Sequence, residues 1–469
     1  MVTYLVEQLQ KFATRIVVSE DGNRISAACL IEDIQACSGY WEKTLTGAGH
    51  HIGLLGENSY QWLVSFLGIV GSGNVAVALN HNLPDEDLRR QAELSDTEIL
   101  LCDTGSVQEY EALMPSIPIM EMEKVRKEGA GRLKELQEDR TAVILFSSGT
   151  SGRSKPVCLS AGNFMPYGRQ CLNETGGETT LMPLPFYHIG GLYCYYELVK
   201  GNLLVISSGK YMFRDIRREN ITRAFFVPSM VKLFLRQLDR GEFEPEMIRK
   251  IRNVVSLGAP LAGADEDQLT KMGIRLETFY GLTETAGLLS GPGGAYRRGS
   301  SGKCMPYVEI RIEDGEIIVR GKNVMSGYYR MEEETDRILK DGWLYTGDLG
   351  HIDEEGYVYI NGRKKNVILL PNGENVSPED VEKRLYQCAW ITECRVYEEK
   401  GAINVDIYSR QIVDGDQPEA VKERILDYIR GVNQTAHPMH RIKGIRILGY
   451  ELEKTSTGKI KREATGIPF

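Results

Sequence analysis

The stretch from Thr141 to Pro156, TAVILFSSGTSGRSKP, restricts this chain more than any other. Its apolar run reads as a buried strand that opens into hydroxyls, glycines and two cations. Such a loop can wrap backbone N–H groups and Ser or Thr hydroxyls around phosphate oxygens. Glycine makes this feasible, because it adopts dihedrals closed to other residues and lets the backbone approach a ligand closely. A nucleotide phosphate site is one expectation, and a plain connection between two elements is the other. A Walker A loop is excluded, since Lys155 is followed by Pro156 and further extended sequence rather than by Ser or Thr opening a helix.

The 469 residues predict two or three domains and ample core. A hydrophobic share of 42% with 26% charged residues is that of a soluble globular protein. The net charge of −9, without a long basic block, argues against nucleic acid as the main partner. Nine scattered cysteines, with no CxxC pair, suit reduced thiols in a cytoplasmic protein. The opening MVTYLVEQLQKF carries an early Glu7 and lacks the layout of a signal peptide. Trp62 to Leu79 is 18 residues without a charge, the length of a membrane span. Glycines at 71 and 73 interrupt it, so the expectation is a helix from about Asn58 and a short strand at Val75 to Leu79, with no transmembrane segment. The GxGxxA spacing at Gly71 to Ala76 follows a helix rather than a strand, which makes a dinucleotide fingerprint a poor reading.

Up to about residue 140, helical patterns alternate with apolar runs at His51–Leu55, Val75–Leu79 and Glu98–Cys102, the signature of a layered α/β region. Three later runs end alike. Ala224–Val227 leads into Pro228 and Ser229, Val254-Val255 into SLGAP, and Leu276–Phe279 into YGLTE. Ligands in parallel sheets sit beyond the carboxyl ends of strands, so these tails are expected to converge with the opening loop on one crevice; four unrelated loops are the alternative. The last hundred residues change character. Ser377 reads as an N-cap before Pro378, two strand-like runs follow at Glu393–Tyr397 and Ile403–Tyr408, then a helix bounded by Pro418 and Gly431 and a strand at Ile445–Leu448. The charged run Gly362 to Asn366 precedes this unit, and the domain boundary is placed there, giving 1–363 and 364–469.

Six stretches, in order, resemble the adenylate-forming superfamily of acyl-CoA ligases, adenylation domains and beetle luciferases: FSSGTSGRSKP at 146–156, PLPFYHIGG at 183–191, YGLTE at 280–284, YTGD at 345–348, GRKKN at 362–366 and TSTGKIKR at 455–462. The resemblance covers essentially the whole chain. It implies a large N-terminal layered α/β domain that binds ATP and the acid, with a small mobile C-terminal α+β domain. Ser147, Ser148, Gly149, Thr150, Ser151, Gly152 and Lys155 would hold the ATP β- and γ-phosphates, which demand many donors. Tyr280 would stack on adenine near the backbone of Gly258 and Ala259. Thr283 would bond the α-phosphate, and Glu284 would hold Mg²⁺, a hard cation that favours oxygen ligands. Asp348 would accept from the ribose hydroxyls with Arg363 assisting.

Lys459 is the residue the resemblance assigns to the first chemical step, bridging the acid carboxylate and the α-phosphate. Lys365 would be the hinge of the small domain, and Gly373 would lie where pantetheine passes. His188 would border the acyl pocket as a wall rather than a proton carrier, and Gly190 and Gly191 would leave volume for the acid. PLPFYHIGGLY has no Asp to pair with a substrate ammonium, so an uncharged fatty or aromatic tail is favoured. Ser154, Pro156, Ala78 and Glu453 depart from common family residues, which bears on loop geometry more than on activity. The implied function is an AMP-forming acid–thiol ligase using ATP, Mg²⁺ and coenzyme A. Loading of an acyl carrier protein is the alternative acceptor, and a non-catalytic nucleotide-binding member is the alternative class.

Overall fold

The structure, a computed structural model, describes residues 1–126, 131–148, 154–170, 176–259, 261–291, 296–371, 374–415, 417–454 and 460–462. The charge-free stretch resolves as the helix Tyr60–Gly71 followed by the strand Val75–Ala78. Ser59 caps the helix by accepting from Trp62 N at 3.1 Å, and the helix is buried all round, so its apolar character is that of a core element. No helix among the described residues is long and apolar enough to cross a membrane. The eight cysteines among them are unpaired thiols.

Two seven-stranded sheets form the body. One runs Arg275–Thr278, Asn253–Ser256, Arg223–Phe226, Thr179–Met182, Leu203–Ile206, Ile16–Glu20 and Asn23–Ser26, parallel except at its last pair. The other runs Gly327–Tyr328, Ser154–Ser160, Thr141–Ser148, Val75–Ala78, His51–Leu55, Ile99–Cys102 and Ile119–Glu121. In this second sheet the opening stretch is an antiparallel hairpin, Thr141–Ser148 with Ser154–Ser160, to which Gly327–Tyr328 also pairs antiparallel, while the strands beyond Thr141–Ser148 pair in parallel. The loop tails expected to meet in one crevice therefore come from two sheets and not from the end of a single one. A third sheet, built around Trp343–Ile352, pairs that strand with Glu316–Gly321 and with Val358–Arg363.

Beyond it, Ile368 to Ile442 supply a hydrophobic cluster of their own, under the strands Glu393–Glu399, Ala402–Tyr408 and Ile442–Leu448 and the helices Pro378–Leu385 and Pro418–Thr435. The second of these helices runs past Gly431, which sequence reading took as its end. A side chain at 431 would meet open space, so the glycine costs only about 1 kcal/mol of helix propensity and does not stop the helix. The unit touches the larger body through Lys232, whose Nζ donates to Thr392 O at 3.0 Å and lies 4.7 Å from the Tyr386 ring.

One buried charge network ties the first sheet to its covering helix. Glu197, 1% exposed, accepts from Thr180 Oγ1 at 2.7 Å and Asn202 Nδ2 at 2.8 Å and pairs with Lys200 at 3.3 Å. Burial alone would raise its carboxyl, but Lys200, Arg223 and these hydrogen bonds outweigh it and hold the group at about 2 against an ordinary 4.5. A depressed folded-state value stabilises above the unfolded value and is lost as pH falls through the folded one. The contribution, about 3 kcal/mol, is thus present above pH 4.5 and disappears towards pH 2. Glu197→Gln is expected to cost about 3 kcal/mol at neutral pH, by removing the buried negative charge that Lys200 and Arg223 face, and to flatten that acid limb; denaturant midpoints measured across pH check both.

Candidate active site

The hairpin register places Ser147 opposite Lys155, so a hydroxyl and an ammonium flank the two strand ends. Gly149, Thr150, Ser151 and Gly152 lie outside the described residues, and Ser148 is described in its backbone alone. Lys155 Nζ sits 4.9 Å from the centroid of the Tyr328 ring, and Tyr328 Oη donates to Glu284 Oε1 at 2.9 Å. Ser147 hydrogen-bonds the same phenol. Burial, reinforced by the Glu284 charge, pushes that phenol up, so it remains a donor at any physiological pH.

Glu284 is held by a turn with little freedom. It occupies the 3₁₀ turn Thr283–Thr285, with Thr283 buried. Thr285 Oγ1 accepts from Leu282 N and donates to Gly287 O, both at 3.1 Å, while Asn323 Nδ2 donates to Thr285 O and Leu288 O at 3.1 Å. Glu284 O accepts from Met325 N at 2.8 Å. Ala286 reverses the chain at φ 48°, and a Cβ on Gly281 would stand 1.2 Å from Gly287 O. Only glycine at 281 lets the two strands pair this closely.

The second group centres on Asp348. Arg363 is its cross-strand partner, with Nε 2.6 Å from Oδ1, and Tyr280 Oη donates to Oδ2 at 2.7 Å. Burial first, then the Asp348 charge, lifts the Tyr280 phenol well above its usual range and keeps it protonated. Arg363 Nη1 donates to Thr346 O at 3.3 Å. Gly347, at φ 71°, donates its N–H to Glu316 Oε1 at 2.9 Å, and Glu316 Oε2 accepts from Lys364 Nζ at 2.7 Å. One buried carboxylate therefore spans the YTGD stretch of the strand Trp343–Ile352 and the segment carrying Lys365. An open cleft of about 280 Å³ is lined by Gly347, Arg363, Lys364 and Lys365.

The PLPFYHIGG stretch reaches the same region. Ile189 and Tyr193 pack against Gly287, just beyond the Glu284 turn. His188 Nδ1 accepts from Gly190 N at 3.2 Å, which in the neutral ring places the proton on Nε2. Gly191 does not leave volume for a substrate as sequence reading had it. A Cβ there would lie 2.1 Å from Pro185 O, so the missing side chain makes way for the protein's own backbone. A Cβ on Gly190 would stand 3.4 Å from His188 Nδ1 and from Leu184 Cδ1. Gly258, at φ 87°, and Ala259 follow the strand Asn253–Ser256 and are exposed.

Lys459 and Gly373 lie outside the described residues. The described residues that flank Lys459, 451–454 and 460–462, are anchored. Lys454 pairs with Ile460 as a bridge, and Lys461 N donates to Glu453 O at 2.8 Å. Arg462 forks onto Glu382 with both contacts at 2.7 Å. Neither Tyr328, Asn323 and Glu316 nor the Arg462–Glu382 pair stood out in the sequence. The Ser326-Gly-Tyr-Tyr-Arg context of Tyr328 carries no spacing signal, and each of these residues matters only through a partner distant in the chain.

The family described as AMP-binding enzyme matches residues 5–329, well over half of the chain. The chain is an AMP-binding enzyme. Among its relatives is the 2-succinylbenzoate–CoA ligase of Bacillus cereus (strain AH820), 29% identical over 367 residues, 74% of this chain and 75% of the relative. Among solved structures, the O-succinylbenzoate coenzyme A synthetase of Bacillus subtilis in complex with AMP superposes with a TM-score of 0.83 at 25% identity, covering 98% of this chain and 97% of that one. The same synthetase in complex with ATP and magnesium ion gives 0.81 at 25% identity over 98% of both chains. The AMP-binding enzyme thus shares the architecture of the adenylate-forming superfamily along nearly its full length.

Proposed function

We propose that this AMP-binding enzyme is an acid–thiol ligase that converts a carboxylic acid and MgATP to an acyl-adenylate and pyrophosphate, then transfers the acyl group to the thiol of coenzyme A. The observation that carries the reading is the pair of constellations at one locus, Tyr280–Asp348–Arg363 and Glu284–Tyr328–Lys155. Asp348 offers a buried carboxylate whose geometry Arg363 and Tyr280 fix, suited to ribose hydroxyls. Glu284 is a single carboxylate on a rigid turn, and it fits Mg²⁺, which completes its shell with phosphate oxygens and water. Mg²⁺ there would supply charge neutralisation to the phosphates. Ser147 and Lys155, with the loop between them, donate to the β- and γ-phosphates. Thr283, with Lys459, addresses the α-phosphate.

No general base is required, because the attacking carboxylate is ionised at neutral pH. What the chain must supply is alignment and a cation where two anions meet. The small unit, residues 364–469, pivots at Lys365 between the two half-reactions and brings Gly373 alongside the thiol. The relatives named as ligases of 2-succinylbenzoate support an aromatic acid as the substrate class.

A pyrophosphate-release screen over 2-succinylbenzoate, other aromatic acids and short-, medium- and long-chain fatty acids, run with and without coenzyme A, tests the reading. Release with an aromatic acid, accompanied by acyl-CoA when coenzyme A is present, is the expected result. Acyl-adenylate without acyl-CoA would point to a carrier-protein thiol instead, and silence across the panel would leave a nucleotide-binding protein without ligase activity.

A further inference from the structure

Away from the adenylation locus, Glu374, His437 and His440 converge from two segments of the C-terminal unit, with one donor atom from each and no two further than 4.8 Å apart. Glu374 Oε2 lies 2.9 Å from His440 Nε2 and 3.9 Å from His437 Nδ1. Both backbones are braced. Leu370 N donates to Glu374 O at 2.9 Å at the end of the short hairpin that pairs Leu369 with Asn375. On the other side, Pro438 opens a 3₁₀ turn in which His440 N donates to His437 O at 2.8 Å. Asn433 bonds both N and O of Ile442, at 2.9 and 3.0 Å, and so fastens the end of the helix Pro418–Thr435 to the strand that follows the turn.

We propose that Glu374, His437 and His440 form a site for a borderline divalent cation, Zn²⁺ in the first instance, that staples the start of the strand Asn375–Val376 to the turn at 437–440. Two imidazoles with one carboxylate are the donor set that such ions take with three protein ligands and solvent in the remaining position. Mg²⁺ and Ca²⁺ prefer all-oxygen shells, so the ion that accompanies ATP does not compete for this site. Tetrahedral coordination needs ligand atoms roughly 3.4 Å apart at bond lengths of about 2.1 Å. The two distances to Glu374 already bracket that spacing, and rotation of the exposed His437 ring closes the remainder. Resting on the ligase reading above, the site acquires a role: Glu374 directly follows Gly373, so an ion here acts on passage of the thiol and not on adenylate formation.

The test uses the full chain dialysed against chelator. Calorimetric titration with Zn²⁺ should show one equivalent bound with a dissociation constant on the order of micromolar. His437→Ala, His440→Ala and Glu374→Gln should each weaken it by at least about tenfold, a lower bound set by the effect of merely indirect ligand partners. Co²⁺ substitution should give a visible d–d spectrum without a thiolate charge-transfer band, and Cys29→Ser should leave binding unchanged, because Cys29 is the exposed thiol among the described residues that could otherwise take the ion. Protein loaded with one equivalent should transfer acyl groups from preformed acyl-adenylate to coenzyme A more slowly, with ATP–pyrophosphate exchange unaltered. Absence of Zn²⁺ binding, or binding that survives the double His437→Ala, His440→Ala variant, overturns the site. Binding with no change in transfer overturns its assignment to the thiol step. Absence of ATP–pyrophosphate exchange with every acid, whether or not Zn²⁺ is bound, would instead count against the reading of the preceding subsection and leave the binding result intact.

Discussion

Lys459→Ala is expected to lower acid-dependent ATP–pyrophosphate exchange by about a hundredfold to a thousandfold, the range for removing one preorganised donor to a developing anion. Transfer from preformed acyl-adenylate to coenzyme A should persist. The split follows from what each half-reaction asks of a cation. In the first, a carboxylate approaches an α-phosphate that is itself anionic, and that junction calls for positive charge. Lys155 stands over the Tyr328 ring at the hairpin end, and Arg363 is committed to Asp348. A flexible ammonium from the C-terminal unit fills that need. In the second half-reaction the leaving group is AMP and the nucleophile a thiol, so the same ammonium has no anion pair to bridge. Exchange and single-turnover transfer assays on one purified variant decide the matter. Exchange within a few fold of the parent chain would remove Lys459 from the mechanism. Equal loss of both steps would mean that the substitution damages the fold.

The parts of this molecule that local physics governs were legible in its sequence. The helix and strand within 58–79 follow from an apolar run and a glycine break, and the structure places Tyr60–Gly71 and Val75–Ala78 there. The extended run after Lys155 likewise appears as the strand Ser154–Ser160. Tertiary pairing was not legible. That the phosphate-type loop belongs to a hairpin in one sheet while YGLTE follows a strand of another depends on contacts between residues far apart in the chain. Tyr328, which couples Glu284 to Lys155, acquires its position because Gly327–Tyr328 pairs with Val157 and Cys158. Gly191 shows the opposite failure. Its identity is readable, but whether the vacated space holds a ligand or the Pro185 carbonyl is a matter of three-dimensional packing. Gly431 belongs with it, since a helix continues through a glycine when tertiary burial on its other face outweighs the local cost.

Arg462→Ala is expected to reproduce the Lys459→Ala pattern at a distance, for a reason that lies in Glu382. That carboxylate is 8% exposed on the helix Pro378–Leu385, accepts from Val396 N at 2.7 Å, and receives both arms of the Arg462 guanidinium at 2.7 Å. Arg462 also reaches Glu379 at 3.1 Å, and Arg395 Nη1 donates to Lys461 O at 3.3 Å. The chain immediately after Lys459 is thus fastened to the helix and to the strand Glu393–Glu399 at once. Burial raises the Glu382 carboxyl and Arg462 opposes that rise, so removing the arginine leaves an uncompensated buried acid. Breaking such a pair costs about 3–5 kcal/mol, which should lower the thermal stability of the C-terminal unit. The decisive readout is the ratio of the two half-reactions. If Arg462 positions Lys459, exchange falls by tenfold or more beyond any loss in acyl transfer at a temperature where the variant is folded, and Arg462→Lys recovers only part of it, since an ammonium cannot reproduce the two-armed contact. If the pair serves stability alone, both steps decline together with the folded fraction, and Arg462→Lys restores them in step with the melting temperature.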